Sequence, residues 1–211
     1  MTRRAFHHEP EDVRRQALID ATLDAVADVG LAGANVREVA ARASVTPGLI
    51  RHYFGSKDKL VKSAYASFAD GMTSSVRAAA AGDSTPMERL AQVVQACCSE
   101  PLANPRHIAI WAAFIGVAHV DPAMADVHRD DYRAFRQVLE EVIRDVLAAH
   151  GRSVDAADIR RQAIAVNAVI DGIWLEASLE RAAFDDMDIN ALALESILAL
   201  LGLPSAGQKK P

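Results

Sequence analysis

Residues 36–60 read VREVAARASVTPGLIRHYFGSKDKL, and the punctuation of this stretch decides the fold. Asn35 before Val36-Arg37-Glu38 places an amide side chain at a helix N-cap and a glutamate at the third helical position, a capping-box arrangement with Asn in the Ser/Thr role. Thr46-Pro47 sets a capping hydroxyl before a proline at the first helical position. Ser56 before Lys57-Asp58-Lys59 is a further cap. Two short helices, 36–43 and 47–53, are therefore joined by about three residues, which is a helix-turn-helix arrangement. Val36, Val39, Ala40 and Ala43 give the first an apolar face, and Val45, Leu49, Ile50, Tyr53 and Phe54 give the second one. Thr46, Pro47, Gly48, Arg51 and His52 fall off that apolar side. A recognition helix needs small residues at its start so that backbone approaches a DNA groove, and Arg or Thr to reach base edges and phosphates. Lys57 opens the next helix, where the helix end and the ammonium together favour a phosphate.

The same punctuation recurs outward from this core. Thr85-Pro86, Asn104-Pro105 and Asp121-Pro122 repeat the cap-then-proline pair, and Glu88 completes a second capping box with Thr85. No segment sustains strand alternation. The pattern predicts an all-α fold of nine helices at 11–29, 36–43, 47–53, 57–81, 86–98, 105–119, 122–150, 155–180 and 188–201. Leu18, Thr22, Ala25, Val26 and Val29 form the buried face expected of the first. The expected domains are a frayed N-terminus at 1–10, a DNA-binding unit at 11–56, an effector-binding and dimerisation domain at 57–203, and a flexible tail at 204–211.

Composition agrees with such a fold. Of 211 residues, 51% are apolar and only 5% aromatic, which argues against a β-sandwich or barrel. The net charge of −5 is unevenly spread: residues 1–62 hold ten Lys/Arg against eight Asp/Glu, and the remainder is acidic. An anionic partner should therefore meet the N-terminal end. The longest central stretch free of Asp, Glu, Lys and Arg, His107 to Val120, is too short to span a membrane, which needs ~20 apolar residues. No signal peptide precedes it, and the adjacent cysteines, Cys97 and Cys98, suit two small buried side chains rather than a disulfide framework. A cytoplasmic protein is expected.

The stretch from Val36 to Leu60, with Ala21-Thr22-Leu23-Asp24-Ala25-Val26-Ala27-Asp28-Val29-Gly30 before it, resembles the DNA-binding core of the tetracycline-repressor (TetR) family. The Tyr53-Phe54-x-x-Lys57-x-x-Leu60 string is its most diagnostic piece. Gly48-Leu49-Ile50-Arg51-His52-Tyr53-Phe54, Ile110-Trp111-Ala112-Ala113-Phe114 and Val169-Ile170-Asp171-Gly172-Ile173-Trp174-Leu175 resemble the branch containing the choline-responsive repressor of glycine-betaine synthesis. The resemblance implies a homodimer that binds a palindromic double-stranded DNA operator and answers to a small-molecule effector, without a cofactor or a metal. It implies Arg37 and Thr46 at phosphates near two helix starts. Pro47, Gly48 and Arg51 would lie along the groove. His52, Tyr53 and Lys57 would clamp the backbone, and Phe54 would be core.

The C-terminal helices carry their own argument. From Ala163 to Leu175 only Asn167 and Asp171 are clearly polar, and from Ile189 to Leu201 only Asn190, Glu195 and Ser196. Helices apolar nearly all round must be buried nearly all round, and pairing across a two-fold axis achieves that. Val166, Ile170, Ile173, Ile197, Leu198 and Leu201 are the expected interface residues. Asp171 stands in this apolar run as a costly lone carboxylate. It is paired with an arginine such as Arg106 or Arg133 or with a helix end, or is the counter-charge for a cationic ligand, or belongs to the dimer interface. Trp111, Phe114, Tyr132, Phe135 and Trp174 supply aromatic faces on which a quaternary ammonium sits well. Catalysis is not expected: metalloprotease, Cys-x-x-Cys, nucleophile-elbow and phosphate-loop motifs are absent. A helical-bundle enzyme and a helical interaction adaptor are the rival readings.

Overall fold

Side-chain caps set most of the helix starts. The computed structural model describes residues 10–204, and among them it contains no strand. In chain order the helices are α1 (Glu11–Gly33), α2 (Val36–Arg42), α3 (Pro47–Phe54), α4 (Lys57–Ala80), α5 (Pro86–Cys98), α6 (Pro105–Ala118), α7 (Pro122–Ala149), α8 (Ala156–Leu179) and α9 (Ile189–Leu201). A 3-10 turn, Arg181–Phe184, precedes α9 and was not expected. The Asn35 amide oxygen accepts from the backbone of Arg37 and Glu38, and Thr85 and Glu88 form the full reciprocal box. Asp155 and Asp188 cap α8 and α9 in the same way. Such a cap is worth about 1 kcal/mol. Only half of the first expected box forms, because Glu38 turns to Arg42 at 2.7 Å. Except for Pro10 and Pro204, the expected frayed end and tail lie outside the described residues.

The chain divides into two compact units. The first takes the chain as far as Phe68 and adds Ala109–Val127; the second holds Ala69–Ile108 and the chain from His128 on. The first unit thus claims the opening turns of α4 and most of α6, beyond the boundary expected after residue 56.

In the first unit Leu18, Ala25, Val26, Val39, Ile50, Phe54 and Leu60 are buried. Gly30 adopts φ +69°, which breaks the helical run of α1. Val29, expected in the core, is 49% exposed beside that break. Ser44, at φ +54°, closes α2 and turns the chain into α3. Arg42 reaches Asp28 at 2.5 Å as well as Glu38, fastening α2 to α1. Arg15 donates to the Tyr53 carbonyl at 2.6 Å and stacks over the Phe54 ring, which fixes the end of α3 against α1.

The second unit is built on α5, α7, α8 and α9. Leu90, Val93 and Val94 meet Leu139, Val142, Ile143 and Val146 in one core. Ile159, Ala163, Val166 and Ile170 from α8 and Ala193, Ile197, Leu198 and Leu201 from α9 complete it. Cys97 and Cys98 are buried free thiols, as their apolar neighbours demand. Arg89 and Asp145 tie α5 to α7 at 2.9 Å, and the Arg152 guanidinium closes the end of α9 on the Leu201 carbonyl.

Candidate DNA-contact face and effector site

On α3 the inward residues are Ile50 and Phe54, and the opposite side is open. Thr46, Pro47, Gly48, Arg51 and His52 are exposed, Arg37 is exposed on the first turn of α2, and Tyr53 and Lys57 are half-buried. The Thr46 hydroxyl makes no capping bond, so its donor and acceptor remain directed outward. A Cβ at Gly48 would meet only the Thr46 hydroxyl oxygen, at 3.9 Å. The protein's own packing therefore does not require glycine there, although glycine costs about 1 kcal/mol in a helix. Arg37 and Arg51 make no ion pair among the described residues. The Tyr53 ring meets His52 edge-on at 5.2 Å, and the Lys57 ammonium lies 3.5 Å from the Leu31 carbonyl. The face thus presents guanidinium, imidazole, phenol and ammonium donors around a bare stretch of backbone, a chemistry suited to phosphates and base edges.

In the second unit, Asp171 on α8 accepts from the Tyr132 hydroxyl of α7 at 3.1 Å and from the Asn167 amide at 2.8 Å. Both partners are neutral. Burial pushes the Asp171 carboxyl up to about 6, against the opposing pull of these two bonds. The arginine partner considered from the sequence is absent among the described residues, and Arg133 turns instead to Asp130 at 3.4 Å. Asp131, next to Tyr132, accepts from the Thr73 hydroxyl of α4 at 2.8 Å and is also pushed up to about 6 by burial.

The candidate aromatic residues are distributed over both units. Tyr132 rests against His128 at 4.2 Å, and Phe135 packs half-buried on the second core. Trp174 is buried, with its indole N–H donating to the Cys97 carbonyl at 2.8 Å. Trp111 and Phe114 belong to the first unit, where Phe114 is buried and stacked on Tyr65 at 4.3 Å. Tyr132 and Asp171 are joined directly. Asn167 completes their cluster; its signal was the four-residue spacing to Asp171 within an apolar run.

The structure places the expected interface residues mostly inside the subunit. Val166 (0% exposed), Ile170 (2%), Ile197 (0%), Leu198 (2%) and Leu201 (1%) lie in the subunit's own core, and Ile173 packs against it half-buried. Within one subunit they leave little surface for a partner. The reason is that α8 and α9 spend one apolar face on α5 and on each other. The opposite face carries Ile164 (46% exposed), Leu175 (44%), Leu179 (74%) and Leu200 (39%).

Residues 86–202 match the family described as BetI-type transcriptional repressor, C-terminal, and residues 18–64 match bacterial regulatory proteins of the tetR family. The chain belongs to the TetR family. Its BetI-type C-terminal region covers more than half of the sequence. The HTH-type transcriptional regulator BetI 1 of Chromohalobacter salexigens is 31% identical over 177 residues, 83% of this chain and 84% of that one. BetI of Serratia proteamaculans is 31% identical across 89% of this chain and 92% of that one. Among solved structures, a transcriptional regulator from Pseudomonas aeruginosa PAO1 superposes with a TM-score of 0.81 at 29% identity, covering 94% and 93% of the two chains. A transcriptional regulator from Saccharomonospora viridis in complex with choline shares the fold, with a TM-score of 0.74 at 16% identity over 90% and 97%.

This TetR-family chain is a ligand-responsive DNA-binding repressor of transcription. The family consists of regulators and not enzymes, which removes the bundle-enzyme alternative. No helix among the described residues is long and apolar enough to cross a membrane.

Proposed function

We propose that this regulator holds a palindromic operator as a cytoplasmic homodimer and releases it when a small cation settles at Asp171. The observation that carries the effector reading is a half-buried carboxylate whose partners, Tyr132 and Asn167, are both neutral. Such a group stabilises a bound cation at little desolvation cost to itself, since burial has already stripped much of its water. Tyr132 and Phe135, three apart on α7, offer aromatic surface beside it, and Trp174 stands one turn along α8 from Asp171. The choline bound to the fold-sharing S. viridis regulator supports a quaternary ammonium as the leading candidate. A cation that favours another separation of the two DNA-binding heads lowers operator affinity by its differential binding to the two states.

Calorimetric titration tests this. Choline, betaine aldehyde and a polyamine are each added to wild type, Trp174→Ala and Asp171→Asn. Heat with at least one cation, lost in Asp171→Asn, is expected. Silence with all three, alongside binding of a neutral lipid, overturns the cationic effector. The pH dependence has a fixed sign. The Asp171 carboxyl at about 6 is charged above that pH, so cation affinity is flat near pH 8 and falls toward tenfold per unit below pH ~6. The folded state itself shifts the other way: its raised carboxyl binds a proton more readily than the unfolded chain, so this group adds stability as pH falls from about 6 toward 4. Asp131→Asn should keep the slope in affinity, and Asp171→Asn should abolish it.

For the DNA face, Arg37 and Thr46 are proposed at phosphates, Pro47, Gly48 and Arg51 along the major groove, and His52, Tyr53 and Lys57 on the backbone. The open space at Gly48 supports this arrangement. Gly48→Ala should raise the thermal midpoint, because an exposed helical glycine is worth about 1 kcal/mol less than alanine. The same variant should weaken operator binding, because the methyl stands where DNA approaches. Unchanged operator affinity in a gel-shift titration would remove Gly48 from the groove.

A further inference from the structure

The proposal rests on the reading that the outward face of α8 is the dimer face. On that face Ile164, Ala168, Gly172, Leu175 and Leu179 recur at helical spacing, and all but the half-buried Gly172 are exposed. A Cβ at Gly172 would meet nothing within 4 Å, so the middle of the stripe is its lowest point. A two-fold axis across a helix sets its two copies antiparallel, with positions equidistant from the axis face to face. Centred between Asp171 and Gly172, the stripe brings Ile164 opposite Leu179, and Ala168 opposite Leu175.

The charges beyond each end of the stripe are opposite in sign. One turn before Ile164, Arg160 joins Arg133 and Arg136 of α7 around a groove of about 470 Å³ that also contains Glu140 and the first residues of α8, Ala156 and Ala157. Arg136 and Arg160 make no ion pair among the described residues. At and beyond the other end, Glu176, Glu180, Asp185 and Asp186 are exposed and likewise make no ion pair among the described residues. The two clusters cannot neutralise each other within one subunit, because even Arg160 and Glu176 stand ~24 Å apart along α8. The antiparallel pairing that matches the apolar stripe to itself sets the start of α8, with Ala157 and Arg160, beside the end of α8 in the other copy, from which the turn carrying Asp185 and Asp186 follows.

We propose that the arginine groove between α7 and α8 receives the acidic turn around Asp185 and Asp186 of a second copy of this chain, locking the dimer in a single antiparallel register. An exposed ion pair contributes little alone, but the two-fold repeats every pair, and like charges in any parallel or shifted register repel.

Sedimentation equilibrium in low and high salt tests the lock. Arg136→Glu with Arg160→Glu, or Asp185→Arg with Asp186→Arg, should each raise the dimer dissociation constant by on the order of tenfold in low salt, and less in high salt. Combining all four reversals should restore dimerisation to within a few-fold of wild type. Independently, Ala157→Cys with Asp186→Cys should form a disulfide-linked dimer on mild oxidation, since Cys97 and Cys98 are buried. Reversals without effect, or a fourfold variant weaker than either double variant, overturn the lock. If Leu179→Glu dissociates the dimer in the same experiments, the α8 face survives that failure. If Leu179→Glu leaves the dimer intact, the face and the lock fall together.

Discussion

Leu198→Glu unfolds the protein, and Leu179→Glu leaves a folded monomer: this pair of outcomes is expected from two leucines at the ends of neighbouring apolar helices. Leu198 is 2% exposed among Leu201, Ile197 and the α5 side chains. Burying an unpaired charge and losing a packed leucine together cost more than about 4 kcal/mol. In a chain of this size that lowers the thermal midpoint by roughly 10 °C or more, or prevents accumulation of folded protein. Leu179 is 74% exposed at the end of α8, so its replacement changes the stability of one subunit by about 0.5 kcal/mol or less. Its effect appears only on assembly. A monomer grips one half-site and forfeits the roughly 10²–10⁴-fold gain from linking two. Circular dichroism and sedimentation separate the two variants. A folded Leu198→Glu protein would move that residue out of the core, and an unfolded Leu179→Glu protein would contradict the outward face.

Arg51→Ala and Lys57→Ala should both weaken operator binding, in different ways. Arg51 is exposed on the open side of α3, one turn past Gly48, and has no ion pair among the described residues to give up. A bidentate contact from it to a guanine edge is worth ~1–3 kcal/mol of discrimination, so Arg51→Ala should flatten the preference for operator over scrambled DNA. Lys57 sits at the first turn of α4, where a cation meets phosphate without reading sequence. Lys57→Ala should weaken both DNAs alike and shrink the slope of affinity against salt by about one ion per site. Fluorescence anisotropy over a salt series measures both effects. Lost discrimination in Lys57→Ala with full discrimination in Arg51→Ala would exchange the two roles.

The helices were legible because their starts are chemical. Asn35, Ser56, Thr85, Asn104 and Asp121 each bind the backbone they precede, and those bonds follow from residue type and position alone. The 3-10 turn at Arg181–Phe184 has no such punctuation, and it passed as a linker. The open side of α3 was legible because Ile50 and Phe54 fix which way the helix faces. The dimer face was not. In α8 and α9 apolar residues stand on every side, so periodicity cannot distinguish the face turned to α5 from the face turned to a partner. Burial makes that distinction: Ile197 and Leu198 face the subunit's own core, whereas Ile164, Leu175, Leu179 and Leu200 are exposed and are the residues proposed for the partner. Asp171 could be singled out from the sequence as a carboxylate out of place. Its lack of a cation among the described residues depends on where α7 delivers Tyr132, and no local pattern encodes that.

The neighbouring thiols of α5 bear on what this regulator can sense. Cys97 and Cys98 lie in the core, and the Cys97 carbonyl is further held by the Trp174 indole. Burial raises both thiols above their ordinary range, Cys98 to about 11, so neither supplies appreciable thiolate at neutral pH. Oxidants, electrophiles and soft metals act through thiolate, and they find none on this helix. Through these two cysteines the folded regulator is blind to the redox state of its surroundings.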